Sequence, residues 1–448
     1  MRVSVSAVID DSRISPFQFQ VFLLGFLVVL CDGFDTQALA YVAPVIASEW
    51  HVPLSLFGPV FAAVLLGAML GSFVFGHVAD RIGRRPALLF SVLLFAVLSL
   101  ASAIADRIET LAVVRFACGI GLGSAIPNVV ALVSEYAPAR RRATVVAIAL
   151  AGFALGAVVA GFVSLPLIAW FGWRFIFVVG GVLPLCLVPF LFAALPESIK
   201  FLAVARGDGR AVAAILRRID PRSRFDDDST FVLDEVRGGR GGLASLFRNG
   251  LAVGSVLLSL AFFASLLLVY LFTSWMPLLL HRAGLPLQDA LMGAIVFNLS
   301  GIAGGVVCAQ LIDRRVVRPM VALITAYLSG AVAVFSIGFS QGAFAPLMTA
   351  IFISGFCIIG GQLSLNAYIA AYYPTTIRGT GIGWAQVIGR LGSLLGPLVG
   401  GLLVSQGMSP PQLFQAGSVA PLLSCLALLL FAVLSRRSAA ADATKTEL

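Results

Sequence analysis

Long apolar runs recur along the whole sequence and limit the folds that it can adopt. A helix needs about 20 consecutive apolar residues to cross the hydrocarbon core of a bilayer. Charged residues make up only 11% of the 448 residues, whereas soluble domains carry about 25%. The sequence therefore predicts an all-α polytopic membrane protein with twelve transmembrane helices. We place the spans at residues 17–46, 56–78, 86–104, 110–134, 143–168, 175–195, 251–280, 290–312, 320–339, 345–371, 379–404 and 413–434.

Two aspartates, Asp32 and Asp35, lie inside the first apolar run. Each carboxylate costs about 2.5–3.5 kcal/mol at the centre of a membrane helix, so both are expected to face protein or water. Their i, i+3 spacing places them on one helical face. Gly33 between them permits another helix to approach closely. We interpret the pair as a functional site, with a structural salt bridge between helices as the alternative.

A single long polar segment divides the twelve spans into two groups of six. Within this segment we predict a short amphipathic helix at Asp208 to Arg218 and a solvated loop at Asp226 to Asp228. The small polar tail after Arg437 is predicted to be disordered. The predicted domains are an N-terminal six-helix bundle, a central cytoplasmic loop and a C-terminal six-helix bundle with a short tail, at residues 1–195, 196–250 and 251–448.

The distribution of arginine predicts the orientation in the membrane, because loops rich in Lys and Arg stay in the cytoplasm. The loops after spans two, four and eight each hold three arginines, whereas the loops after spans three, five and seven hold one each, Arg107, Arg174 and Arg282. The basic loops, the central segment and both termini are therefore expected to be cytoplasmic. This asymmetry accounts for the net charge of +9 without a nucleic-acid partner. We expect no cleavable signal peptide, since the first run is long, contains two acids and precedes many more spans.

The two halves repeat at a nearly constant offset. Asp313-Arg314 follows Asp80-Arg81 by 233 positions, and Pro277 follows Pro44 by the same distance. The run from Pro374 to Arg378 follows the run from Pro138 to Arg142 by 236 positions, and two glycine pairs keep that offset, Gly119 with Gly355 and Gly156 with Gly392. Several matches at one offset indicate duplication. Parallel six-span repeats are typical of the major facilitator fold.

Several motifs resemble those of the major facilitator superfamily over nearly the whole chain. The loop Gly76-x-x-x-Asp80-Arg81-x-Gly83-Arg84-Arg85 resembles the superfamily's loop signature, although Ala309 replaces the leading glycine in the second copy. Arg115-x-x-x-Gly119 is similar to its fourth-helix motif, which implies a role in proton coupling. The segment from Pro196 to Leu202 resembles the one that closes the first half in metabolite porters.

A narrower resemblance is to the aromatic acid:proton symporter family. It rests on Asp32-Gly33-Phe34-Asp35, on Thr273 to Pro277, and on Tyr373-Pro374-Thr375 leading through Arg378 to Arg390. That family includes carriers of 4-hydroxybenzoate, benzoate and related phenolic acids. The resemblance implies proton-driven uptake of an aromatic carboxylate by a monomer in the bacterial inner membrane. The alternative is a proton-coupled sugar, polyol or other metabolite porter of the same superfamily.

The depths of three charged residues suggest how a proton is carried. Asp35 and Arg115 are expected at similar depths, within about one helical turn, because each residue rises 1.5 Å. One aspartate can then stay ionised against Arg115, while the other, desolvated beside a like charge, takes up a proton. A helix-to-helix bridge or a lipid-facing position are the alternatives for Arg115. The neighbouring glycines argue for a packed face instead.

The candidate substrate site combines one arginine with aromatic and amide side chains. Arg390 lies near the middle of span eleven, where the repeat has Ala154 in the other half. Its planar guanidinium suits a carboxylate, and a packing arginine is the alternative. An aromatic acid needs an apolar slot with a few placed polar groups. The remaining candidates are Phe34, Tyr270, Trp275, Trp384, Asn298, Gln362, Asn366 and Gln386.

Charges of both signs at the predicted cytoplasmic ends of the helices suit a latch that breaks during alternating access. Ordinary positive-inside topology is the alternative for these residues. No nucleophile–base pair and no metal-ligand spacing appears within the spans, so we expect neither an enzyme nor a cofactor. The latch candidates are Gly76, Asp80, Arg81, Arg84, Glu135, Arg142, Asp313 and Arg378.

Overall fold

Twelve helices in the described part of the chain are long and apolar enough to cross a membrane, which confirms the predicted spans. The computed structural model describes residues 2–221, 230–232, 243–248, 251–340, 343–374 and 377–446. The first six helices are α2 (Pro16–Glu49), α3 (Phe57–Ile82), α4 (Arg84–Ala103), α5 (Ile108–Tyr136), α6 (Ala139–Phe171) and α7 (Arg174–Ala194). The second six begin with α9 (Ala252–Arg282), α10 (Leu287–Asp313), α11 (Pro319–Ile337), α12 (Phe344–Tyr372) and α13 (Arg378–Ser405). The last span, Pro410–Ser435, combines α14 (Pro410–Gly417) with most of α15 (Val419–Thr446).

The contacts divide the chain into two compact units. The first unit comprises Met1–Val42 and Ala63–Val236, and the second comprises Ala43–Ala62 and Arg237–Leu448. In the first unit, α4 packs against α5 and α7, and in the second unit α9 packs against α13 while α10 packs against α12. The end of α2 and the start of α3 thus belong by their contacts to the second unit. There Gly58 meets Gly401 of α13, and the Phe61 ring lies edge-on to Trp275.

Glycine contacts confirm the duplication. A Cβ atom at Gly119 would overlap the carbonyl oxygen of Val64, and one at Gly355 would overlap that of Phe297. Gly355 follows Gly119 by 236 positions, and Phe297 follows Val64 by 233 positions. These are the two offsets found in the sequence. Helices approach this closely only where a small residue meets backbone. Two further pairs of contacts repeat in the same way, Gly156 on Leu30 with Gly392 on Phe263, and Gly71 on Ile120 with Gly304 on Phe356.

The N-terminal residues form structure that the sequence does not predict. Strand β1 (Arg2–Ser4) pairs in parallel with β2 (Thr230–Val232), so that Val3 lies opposite Phe231. Helix α1 (Val5–Asp11) follows, and the Ser4 hydroxyl accepts a hydrogen bond from the amide of Ala7 at 3.2 Å, as an N-cap does. Segments this short carry no readable hydrophobic period, and their partner lies more than 200 positions away in the sequence.

The predicted amphipathic helix is confirmed as α8 (Gly209–Ile219). The Asp208 side chain caps it by accepting a hydrogen bond from the Ala211 amide at 3.0 Å. Its apolar face, which includes Leu216, is buried. Residues Asp226 to Asp228 lie outside the described residues. The predicted disordered tail is wrong, because α15 continues to Thr446, and the alanines at 439–441 favour a helix.

Candidate functional site

Asp35 and Arg115 form a buried ion pair in the first unit. The Nη2 atom of Arg115 lies 2.7 Å from Oδ2 of Asp35, and Nη1 lies 3.2 Å from Oδ1. Nη2 also donates to the backbone carbonyl of Asp35 at 3.0 Å. Both side chains have an exposed fraction of 0%. The planar guanidinium therefore binds the carboxylate through two hydrogen bonds. The two residues are in contact, as their similar predicted depths in the membrane led us to expect.

Four helices meet around the Asp35 carboxylate. Ser99 of α4 donates to Oδ1, and the thiol of Cys118 on α5 lies 3.4 Å from Oδ2. Gly180 of α7 makes room, since a Cβ atom there would stand 3.1 Å from Oδ1. On the guanidinium side, the Phe177 ring centroid lies 5.2 Å from Cζ of Arg115. Sequence analysis missed Ser99, Cys118 and Gly180, because small residues at single positions carry no signal of their own.

Asp32 lies one helical turn before Asp35 and is also buried, with 3% of the residue exposed. The hydroxyl of Thr36 donates to its Oδ1 at 3.2 Å. Between the two aspartates, a Cβ atom at Gly33 would overlap the carbonyl oxygen of Phe153. The predicted close approach of another helix therefore occurs here, and the helix is α6. Asp32 and the Asp35–Arg115 pair thus place two carboxylates and one guanidinium in the buried interior of the first unit.

In the second unit, the structure joins two of the predicted substrate-site amides. Nε2 of Gln386 on α13 donates to Oδ1 of Asn366 on α12 at 3.1 Å. Arg390 lies one turn further along α13 and is half-buried. Gln362 lies one turn before Asn366 and is also half-buried. These side chains supply amide and guanidinium groups on two adjacent helices.

The aromatic candidates differ in their surroundings. Trp384 is half-buried, its ring lies edge-on to Phe247, and its indole N–H is buried without a hydrogen-bond partner in the described part of the chain. Tyr270 on α9 is half-buried as well. Phe34 is 1% exposed and packs inside the first unit.

Two further predicted substrate contacts each donate a hydrogen bond to a backbone carbonyl. Trp275 is fully buried, and its indole N–H donates to the carbonyl of Pro397 at 3.0 Å. That bond uses the only polar group of the side chain. Asn298 is 8% exposed, and its amide donates to the carbonyl of Ala294 on the same helix at 2.9 Å. The indole N–H of Trp275 and one N–H of the Asn298 amide are thus engaged with backbone.

The predicted latch residues of the first unit form one charged cluster. Arg84 lies between two acids, with Nη2 at 3.8 Å from Oδ1 of Asp80 and Nε at 3.6 Å from Oε1 of Glu135. The Ser198 hydroxyl donates to the other oxygen of Glu135 at 2.6 Å. The Asp80 side chain is 73% exposed, whereas that of Glu135 is 17% exposed. Glu135 is therefore the more firmly held partner.

Glu197 lies beside the same cluster and caps the N-terminus of α4. It was not among the predicted site residues. Its Oε1 accepts hydrogen bonds from the amides of Arg84 at 2.8 Å and Arg85 at 3.2 Å, at the N-terminus of α4. Gly83 precedes them with φ +102°, and a Cβ atom there would overlap the Glu197 carboxylate. The loop motif and the segment from Pro196 to Leu202 therefore act as a single structural feature. The signal was present in the sequence, as two separate motifs.

The other latch candidates are less constrained. Arg81, Arg142 and Arg378 are exposed, and a Cβ atom at Gly76 would meet no atom within 4 Å. Arg142 and Arg378 repeat one geometry, since each Nε donates at 3.4 Å to a backbone carbonyl five residues earlier. Asp313 is the last residue of α10.

Comparison with known proteins identifies relatives along almost the whole length. Residues 25–361 match the profile of the Major Facilitator Superfamily. The chain is 36% identical over 428 residues to the gallate transporter of Pseudomonas putida, covering 95% of this chain and 94% of the relative. It is also 36% identical over 439 residues to the 4-hydroxybenzoate transporter PcaK of Pseudomonas aeruginosa, covering 98% of each.

Solved structures agree on the fold. The xylose transporter XylE from E. coli, in a partially occluded inward-open conformation, superposes with a TM-score of 0.70. The match covers 93% of this chain and 98% of that one at 17% sequence identity. At this identity the likeness concerns the arrangement of the helices and carries no information about substrate.

Proposed function

Because the chain belongs to the major facilitator superfamily, we propose that it takes up an aromatic carboxylate by proton symport through alternating access. The relatives that are 36% identical over nearly the whole chain are named as gallate and 4-hydroxybenzoate transporters. The observation that carries the proposal is the buried group of two carboxylates and one guanidinium in the first unit. Ionisable side chains inside a membrane are costly, and in transporters they mark proton relays and substrate pathways.

Asp32 is the proton carrier in this proposal. Both terminal nitrogens of Arg115 bind the Asp35 carboxylate, so this pair balances one charge with one charge. Asp32 then adds a second carboxylate to a region with almost no exposure. A buried carboxylate is stabilised by binding a proton, which removes the charge. The pair holds its charges through the cycle, while Asp32 gains and loses its proton.

Arg390 is the proposed partner of the substrate carboxylate. It extends from the same helix as Gln386 and Trp384, and Asn366 joins Gln386 from α12. An aromatic acid presents one charged group and one flat apolar ring. Arginine binds the charge through two parallel N–H groups, and the amides and the Trp384 indole N–H are suited to ring hydroxyls. Gln362 and Tyr270, half-buried on α12 and α9, are proposed as further lining residues.

In this proposal the protein is a monomer in the bacterial inner membrane, with the basic loops and both termini in the cytoplasm. The asymmetry of arginine supports this orientation. We keep residues 1–195, 196–250 and 251–448 as the functional divisions, that is, two bundles and a connecting loop. The charged cluster at Arg84 acts as the latch, whose ion pairs exchange partners as the carrier changes state.

Competition for uptake tests the proposed substrate class. Cells that produce the protein would be given radiolabelled 4-hydroxybenzoate together with an excess of unlabelled benzoate, gallate, xylose or a polyol. We expect benzoate and gallate to lower the uptake and the neutral compounds to leave it unchanged. Competition by sugars or polyols instead of aromatic acids would move the assignment to the alternative class of metabolite porters.

A further inference from the structure

A cavity of about 220 Å³ lies between α10 and α11 in the second unit, and its lining contains none of the proposed substrate-binding residues. We call it the α10–α11 groove. Its walls are one face of α10 from Gly304 to Leu311 and one face of α11 from Ala322 to Ser329. On both helices the lining residues recur at i, i+3, i+4 and i+7, the spacing of a single helical face. Helix α12 packs against both α10 and α11 and forms the floor, which includes Cys357.

The groove starts near the ends of its two helices and runs into the membrane span. Leu311 lies two residues before the end of α10 at Asp313, and Ala322 lies three residues after the start of α11 at Pro319. Each wall extends over about 10 Å, because each residue rises 1.5 Å. One leaflet contributes about 15 Å to the hydrocarbon core of a bilayer. The groove therefore lies along the path of an acyl chain, from the membrane interface toward the bilayer centre.

The groove is open on one side, and its lining is uncharged. Val307 is 40% exposed and Leu311 is 38% exposed, and Thr325 and Ser329 are exposed as well. Among the described residues that line the groove, none carries a charge. The Thr325 hydroxyl donates to the carbonyl of Val321 on its own helix at 2.8 Å. A carboxylate would meet no cation in this lining, which argues against an aromatic acid and favours an uncharged chain.

The first half fills the corresponding space with larger side chains. At the offset of 233 positions, Cys308 corresponds to Phe75 and Ala326 corresponds to Leu93. The Phe75 ring stacks on the ring of Phe90 in α4, with the centroids 5.6 Å apart. The floor on α12, taken together, is not smaller in the second half, so the difference lies in the walls. Duplication alone thus does not produce the groove, since the second half lacks the side chains that would close it.

Arginines lie at the mouth of the groove. The segment between α10 and α11 contributes Val317 to the lining and carries the exposed Arg314, Arg315 and Arg318. Basic side chains at the ends of membrane helices bind the phosphates of lipid head groups. Asp313 supplies one acid in the same stretch of sequence. Because each guanidinium has five N–H donors, an arginine that pairs with a carboxylate still has donors for a phosphate.

We propose that the α10–α11 groove binds one acyl chain of a phospholipid whose phosphate lies at these arginines. The hydrophobic effect gives no preference for the groove, because the surrounding lipid tails are as apolar as its lining. An unfilled groove forfeits dispersion contacts, and a chain that fits restores them. Close packing and the phosphate contact together hold this lipid in place. Binding does not depend on the proposed transport, since no residue assigned to transport lines the groove.

Photochemical labelling of the purified full-length protein in a neutral detergent tests the occupant. The probe is phosphatidylglycerol with a diazirine in one acyl chain, and mass spectrometry locates the labelled residues. We expect the label on the two walls of the groove, and unlabelled phosphatidylglycerol should compete for this site. Methyl palmitate has the chain but no phosphate, so it should need at least a tenfold higher concentration to compete. Equal competition by methyl palmitate, or competition by benzoate, would overturn the phospholipid as the occupant.

Filling the groove tests the site itself. Cys308→Phe and Ala326→Leu each introduce the side chain found in the first half, and each should lower labelling of the walls at least tenfold. Val306→Phe adds a ring to α10 at a position that is 54% exposed and outside the lining, so it should change labelling less than twofold. Thermal unfolding checks that the variants are folded, and Ala326→Leu, the smaller change, keeps the test available if Cys308→Phe does not fold.

An even spread of label over the exposed faces of the spans, or equal labelling of all three variants, would overturn this site. Labelling requires no transport, so this result and the uptake result fail independently.

Discussion

At the scale of single residues, the second half of the chain indicates what the buried ion pair is for. The repeat offsets map Asp35 to Leu268 and Arg115 to Ile351. Both of these are fully buried, with an exposed fraction of 0%. The same packing position is therefore filled by apolar side chains in one half and by an ion pair in the other. Since the second half packs the corresponding positions without charges, we propose that the pair in the first half serves function.

This comparison predicts an unusual order of stabilities. Asp35→Leu leaves a buried guanidinium without its counter-charge, which costs about 3–5 kcal/mol. The double variant Asp35→Leu/Arg115→Ile removes both charges and copies the other half, so we expect it to be more stable than the single variant. Thermal unfolding in detergent measures this. A double variant that unfolds at or below the single variant's temperature would mean that the pair is needed for folding.

Asp32→Asn tests the proton carrier. Asparagine keeps the shape and hydrogen-bonding capacity of the side chain but does not titrate, so we expect accumulation of substrate against a gradient to be abolished. Exchange of labelled for unlabelled substrate across proteoliposomes should continue, because the binding site remains. Asp35→Asn should abolish both accumulation and most exchange, since it leaves the buried positive charge of Arg115 without its counter-charge. Accumulation by both variants would exclude these aspartates from coupling.

Arg390→Ala should weaken substrate binding by about 2–5 kcal/mol if it pairs with a desolvated carboxylate. Arg390→Lys should restore only part of the affinity, because an ammonium group cannot form the paired hydrogen bonds. Arg282→Ala, at the exposed end of α9, serves as the matched control and should bind normally. Scintillation proximity with labelled substrate measures all three. Normal affinity in folded Arg390→Ala protein would remove this contact from the proposal.

At the scale of helices and loops, sequence reasoning succeeded wherever one segment carried its own signal. Length and hydropathy predicted the twelve spans, and the period of apolar residues predicted α8. Depth along the helices was enough to pair Asp35 with Arg115. The β1–β2 pairing and the Glu197 cap were missed, because each joins residues more than 100 positions apart. Such contacts depend on packing of the whole unit, which no local pattern encodes.

The charged cluster of the first unit is expected to control the balance of states. Glu135→Gln and Asp80→Asn each remove one partner of Arg84, so they should shift the populations of inward-open and outward-open protein without abolishing substrate binding. Modification of engineered cysteines from each side of the membrane reports the shift. Glu109→Gln, in the exposed first turn of the same helix as Glu135, is the matched control. Unchanged accessibility with normal transport would leave these charges as signals of topology.

At the scale of the whole molecule, the driving force must overcome the membrane potential. Moving one negative charge into a negative-inside cell costs about 2.3 kcal/mol per 100 mV. Binding groups cannot supply this at steady state, since they act on both legs of the cycle. A proton carried with each substrate anion makes the step electroneutral, so that the pH difference drives it. With a second proton, each cycle would carry one net positive charge into the cell. The membrane potential would then drive uptake as well.

Symport with at least one proton predicts a measurable flux of protons. Adding 4-hydroxybenzoate to a weakly buffered suspension of cells should raise the external pH, and uptake should increase as the external pH falls, because the proton enters from outside. A pH electrode follows the first effect, and labelled uptake follows the second. Cells that produce Asp32→Asn protein should give no alkalinisation. Uptake without any change in pH would point to facilitated diffusion or anion exchange.

The Glu197 cap can form only late in the synthesis of the first half of the chain. Arg84 and Glu197 are separated by 113 positions, and at about 5–20 residues per second a ribosome takes roughly 6 to 23 seconds to add them. During this interval the start of α4 has emerged without the carboxylate that its amides will bind. The Tyr136 hydroxyl, which donates to the Glu197 carbonyl at 2.6 Å, waits for the same residue. The start of α4 is therefore capped by a residue that leaves the ribosome after all six helices of the first bundle, and a nascent chain that stops before Glu197 lacks this cap.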